Sequence, residues 1–194
     1  MSTAETTFQY DSGPPVESGR LATWLFLAAE SLFFGGLLSA WLVLRAQAQD
    51  SWSEGLHPSL GVGIVMTLLL VGASVAGHGA VAVRARGTSG TRRLLLAAAL
   101  VAVFLGAQAL EYRHLHHEGV SPATSLRWGT FYALTLAHGF HVLIGLLWLL
   151  WLVITGAGRA DVVHGRGALE YGVLYLHFVD AVWFVLLGLL YVLR

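Results

Sequence analysis

Long apolar blocks alternate with short polar ones along this chain. Five blocks are apolar on all sides rather than along one stripe: Leu21–Leu44, Leu60–Val83, Leu94–Tyr112, Phe131–Ile154 and Val173–Leu193. As a helix, a run of about 18 or more apolar residues is long enough to cross bilayer hydrocarbon. Helices satisfy their own backbone polar groups there, where no water can. The pattern predicts an all-α fold, a polytopic membrane helix bundle of five transmembrane helices. The connections Arg45–Ser59, Arg84–Arg93, Arg113–Thr130 and Thr155–Gly172 are too short for a soluble domain, so residues 20–194 read as one membrane domain. Residues 1–19 are polar, with Glu5, Asp11, Glu17 and the pair Pro14-Pro15. They lack the basic start and apolar core of a secretory signal and read as a polar tail.

Each block carries ionisable or amide side chains, which are costly in hydrocarbon and so mark function or assembly. The last block reads LYLHFVDAVWFVLLGLLYVLR from Leu174 and places His177 and Asp180 three residues apart. That spacing puts an imidazole and a carboxylate on one side of a helix. Glu30 sits inside WLFLAAESLFF, ~13 Å into the first span at 1.5 Å per residue. There it must be protonated, hydrogen-bonded or beside water. His78 lies near one end of the second span, Gln108 and Glu111 near the far end of the third, and His138 and His141 near the middle of the fourth. By depth, His78 and His177 are expected partners for Glu30. Glycines such as Gly72, Gly77 and Gly145 allow close helix approach. Trp52, Trp128, Tyr171 and Tyr191 lie near span ends, as residues of interfacial belts do.

Arginine placement orients the chain. With the N-terminus cytoplasmic, the inner side holds Arg20, Arg84, Arg86, Arg92, Arg93, Arg159 and Arg166, against Arg45, Arg113, Arg127 and Arg194 outside. The positive-inside rule therefore places the N-terminus in the cytoplasm and the C-terminus outside. Arg84, Arg86, Arg92 and Arg93 are candidate contacts for lipid phosphate, whose geometry suits the guanidinium fork.

Composition narrows the function classes. The chain is 56% hydrophobic and 11% charged, against about 25% charged in soluble domains. It has no cysteine, which excludes disulfides, thiolate metal sites and a cysteine nucleophile. Net charge is zero and there is no basic run, so nucleic acid is not a partner. No nucleophile–base set is identifiable, so no catalytic residue is assigned. Three readings of the membrane polar groups stand. They could form an interhelical network that fixes helix register. Two imidazoles could ligate a b-type haem as an electron-transfer anchor. Carboxylates and histidines could hold a metal, although no Glu-x-x-His pair occurs within a span. The run His114, His116, His117, Glu118 reads as a solvated turn.

The same residues carry a resemblance. Trp24-Leu-Phe-Leu-Ala-Ala-Glu30-Ser-Leu-Phe33-Phe34, Gln108-Ala-Leu-Glu111-Tyr112, His138-Gly-Phe-His141-Val142 and His177-Phe-Val-Asp180-Ala-Val-Trp183 occur in that order, with the weaker Gly77-His78-Gly79 in span two. Together they resemble subunit III of the haem–copper oxidases, cytochrome c and quinol, in its five-helix bacterial form, over roughly Arg20–Arg194. Leu176 stands where that family often has Trp, and a single His78 where it often has two. The resemblance implies a subunit without a catalytic centre in a proton-pumping terminal oxidase of aerobic respiration. It implies phospholipid as the bound molecule, haem and copper confined to partner subunits, and subunit I, subunit II and small subunits as partners in the bacterial cytoplasmic membrane. By resemblance Glu30 is the family's buried span carboxylate and a target for apolar carbodiimides. His78, Gln108, Glu111, His138, His141, His177 and Asp180 match its interhelix polar network, and none matches a metal or redox ligand. A relative associated with nitric oxide reductases shares these motifs and is the alternative.

Overall fold

A computed structural model describes residues 18–48, 52, 58–159 and 166–192. Within them lie α1 (Ser18–Gln47), α2 (Leu60–Ala85), α3 (Thr91–His117), α4 (Leu126–Ile154) and α5 (Arg166–Leu187), the last continuing as a π-helical turn over Gly188–Val192. All five helices are long and apolar enough to cross a membrane. Each extends beyond its predicted block at one or both ends, because hydropathy marks only the hydrocarbon-spanning part of a longer helix. The expected polar tail lies outside the described residues, except that Ser18 and Gly19 already belong to α1.

Local sequence sets several helix ends. Ser125 caps α4, its Oγ accepting from the Trp128 N–H, which satisfies one of the orphan donors of the first turn. At the other ends, Gly119 and Gly156 adopt φ of 77° and 69°, conformations that only glycine takes without a steric penalty. There the N–H of Val120 reaches back to Leu115 O and that of Ala157 to Leu152 O, closing α3 and α4 with the six-to-one bond of a Schellman ending.

α2, α3, α4 and α5 form a closed ring, α2 against α3, α3 against α4, α4 against α5 and α5 back against α2. α1 leans on α4 and α5 from outside and is the least buried span. The chain runs up and down. At one end the Gly90 N–H donates to Gly158 O and Arg84 Nε to Arg159 O. At the other, Arg127 Nη1 donates to Trp52 O.

Side chains of Leu70, Val101, Phe104, Leu149, Leu186 and Trp183 fill the ring. Close approach of α2 and α5 depends on Gly63, where an added Cβ would lie 2.7 Å from Leu187 Cδ1 and 3.0 Å from Tyr191 Cδ1. Trp52, Trp128 and Tyr191 do sit near span ends, but they are buried in the protein rather than turned to the membrane surface. Trp52 packs edge-on against Trp41, and Trp128 against Phe131. Tyr191 is turned inward by the π-helical stretch, whose wider turn rotates less per residue and brings it to the side of Trp183.

Candidate functional site

The membrane-level polar groups form an inner set within the ring, a pair joining α1 to it, and a surface pair on α2 and α5. The α1 pair is Glu30 with His141, whose Oε2 and Nε2 are 2.9 Å apart. Sequence depth pointed instead to His78 and His177 as partners of Glu30. Depth along an axis does not fix which helices adjoin, and α1 packs on α4 and α5 rather than on the His78 side of α2. The other nitrogen of His141, Nδ1, is 2.7 Å from Ala137 O. A carbonyl can only accept, so Nδ1 carries a hydrogen. Nε2 then either accepts from a protonated Glu30 or, as part of an imidazolium, donates to the carboxylate. In both arrangements the pair as a whole is neutral, which suits a membrane interior. Tyr175 Oη donates to His141 O at 3.0 Å, and the Phe34 ring packs edge-on against the imidazole at 4.9 Å.

Within the ring, His138 stacks on Trp183 at 5.3 Å, with Phe104 and Phe34 edge-on around it. Neither of its nitrogens has a hydrogen-bond partner among the described residues. Trp183 Nε1 donates to Thr67 Oγ1 at 2.9 Å, which ties α5 to α2. Asp180 turns inward and faces Ser74 of α2, at a geometry short of a hydrogen bond for Ser74 Oγ. Glu111 accepts from Tyr191 Oη at 2.9 Å through Oε2, while Oε1 has no partner among the described residues. Gln108 is buried one turn away, and Tyr112 Oη donates to Thr135 Oγ1 at 2.8 Å. This series draws polar side chains from all four ring helices.

His177 and Asp180 do not share an environment, although their spacing predicts a common side. Asp180 is buried, whereas His177 is exposed and its ring lies 6.2 Å from that of His78, also exposed. Sixty degrees of rotation separate positions three apart on an α-helix, enough to place one inside the ring and one on its surface. Sequence reasoning passed over Thr67, Ser74, Thr135, Tyr175 and the inward role of Tyr191. Hydroxyls at membrane depth also bond to carbonyls of their own helix. Ser39 Oγ simply donates to Gly35 O on its own helix, so the residue type alone carries little signal.

On the side assigned to the cytoplasm, Arg84 Nε donates to Arg159 O and Arg93 Nη1 to Gly79 O, while Arg86 and Arg92 are exposed. Among the described residues no three His, Asp or Glu side chains converge as a metal-binding set.

Comparisons with known proteins agree over nearly the whole length. The chain is 38% identical to cytochrome c oxidase subunit 3 of Thermostichus vulcanus, over 89% of this chain and 86% of that one. It is 34% identical to the probable cytochrome c oxidase subunit 3 of Nocardia farcinica, covering 90% and 87%, and 32% identical to quinol oxidase subunit 3 of Bacillus spizizenii, covering 86% and 84%. The family profile described as cytochrome c oxidase subunit III matches residues 2–193, and with five spanning helices arranged as above, the chain belongs to the cytochrome c oxidase subunit III family.

Proposed function

We propose that this chain is the subunit III of a proton-translocating haem–copper terminal oxidase in a bacterial cytoplasmic membrane, packed beside the catalytic subunit I together with subunit II and small subunits. Its work is mechanical and electrostatic: it stabilises its neighbour, holds phospholipid and sustains proton uptake during turnover. The observation that carries this is the use made of its ionisable side chains. Glu30 and Glu111 are each engaged with a side chain of another helix, His141 and Tyr191, and His138 is enclosed by aromatic rings. Such groups fix helix register. Against the haem-anchor reading, His141 is held by Glu30 and Ala137 O, and His138 is enclosed by Phe34, Phe104 and Trp183.

Arg86 and Arg92 face outward, and with Arg84 and Arg93 they form a cationic rim suited to lipid phosphate. Relatives bearing these spans include both cytochrome c and quinol oxidase subunits, so the donor is selected on other chains. Affinity purification through a tag on this chain tests the reading. Haem and copper are expected in the copurifying subunits, and no Soret band in this chain separated from them. Stoichiometric haem on the separated chain refutes the proposal. Arg86→Gln with Arg92→Gln is expected to lower the phospholipid retained per complex.

A further inference from the structure

Most ionisable side chains at membrane depth in this chain are shielded by its own helices. Glu30 is tied to His141, and Glu111, His138 and Asp180 are buried in the ring. His78 and His177 are the exceptions. Both are exposed, they come from adjoining helices, and their rings are 6.2 Å apart. Neither makes a hydrogen bond with a described residue. His177 lies four residues inside the apolar block that begins at Val173, ~6 Å along the axis at 1.5 Å per residue, and His78 lies five residues from the end of its block at Val83. Acyl tails at that level offer neither donors nor acceptors. Above the pair the same face is apolar and closely approachable: Val75 on α2, Ala181 and Phe184 on α5 are exposed.

We infer that this α2–α5 face docks a membrane-spanning helix of another subunit, which presents a carboxyl or amide side chain to His78 and His177. An imidazole offers one donor and one acceptor in its neutral form, so an amide or protonated carboxyl meets both needs. A carboxylate would balance one imidazolium. The small Ala181 lets the incoming helix approach while its hydrogen bonds are made. The inference rests on the proposal that the chain is one subunit of a larger complex. It adds which face is covered and what chemistry covers it.

Photo-crosslinking in native membranes tests it, with p-benzoylphenylalanine placed at Val75 or Ala181. The expected adduct is a spanning segment of a different subunit. An adduct with lipid only, or with a second copy of this chain, overturns the inference. A second measurement uses the assembled complex. His78→Phe with His177→Phe is expected to weaken retention of this chain through detergent washing on the order of ten-fold, the equivalent of two ordinary interhelical hydrogen bonds. His78→Gln with His177→Gln, which keeps donors and acceptors, should recover most of that loss. Retention of the double Phe variant at the wild-type level overturns the inference. If no other subunit copurifies with the wild-type chain at all, it is the functional proposal that fails. If subunits copurify but crosslink elsewhere, only the docking face is wrong.

Discussion

Glu30 provides the most direct test of the network. Its side chain is 20% exposed and that of His141 9%, so the contact is largely shielded within the membrane. Glu30→Ala leaves Nε2 of His141 without its partner, because Nδ1 is already committed to Ala137 O. An unsatisfied buried group costs about 1–3 kcal/mol, whereas side-chain hydrogen bonds in membranes average about 0.6 and reach about 1.7 kcal/mol. The expected loss is therefore about 1–2 kcal/mol, a factor of roughly 5–30 in the folded-to-unfolded ratio. Glu30→Gln keeps a donor aimed at Nε2 and is expected to stay within about 0.5 kcal/mol of wild type. The assay is reversible unfolding of the chain in mixed micelles, run as a double-mutant cycle with His141→Ala. A coupling energy near zero would refute the pairing as a stabilising contact. In the assembled oxidase, Glu30→Gln should leave initial oxygen reduction nearly unchanged, with any defect in proton uptake or in lifetime during turnover. Loss of oxygen reduction in an intact complex with its haems in place would refute the supporting role.

Three further expectations follow from packing. Gly63→Ala should destabilise the α2–α5 contact by about 1–3 kcal/mol through overpacking against Leu187 and Tyr191; Gly139→Ala, with nothing within 4 Å, should be neutral by the same unfolding assay. Tyr191→Phe removes the donor to Glu111, whose Oε1 already lacks a partner among the described residues, and should cost about 1–3 kcal/mol; a neutral result would mean that water takes over the bond. Trp183→Phe loses the Thr67 bond and replaces the indole stacked on His138 by a smaller ring, and should lower the thermal unfolding midpoint by more than Tyr191→Phe does.

Fold class and span number were legible from the sequence because bilayer hydrocarbon imposes one rule on every stretch of backbone that crosses it. That rule is local, so runs such as Phe131–Ile154 could be read without knowing their neighbours. The sequence also singled out Glu30 in α1 and His141 in α4, which stand out against apolar surroundings. Their pairing was not legible. They are separated by 111 positions, and the contact depends on α1 leaning against α4 and α5, a matter of interhelical packing rather than depth. Tertiary structure likewise separated His177 from Asp180 and turned Tyr191 from the expected surface belt into the ring. Sequence alone determined that these helices cross the membrane and which of their polar groups are costly there. Only the packing of five helices decided which groups offset that cost within the chain, as Glu30 and His141 do, and which, like His78 and His177, are left on its surface. The physical reason is that membrane insertion is a property of each segment, whereas hydrogen-bond satisfaction is a property of pairs that the fold brings together.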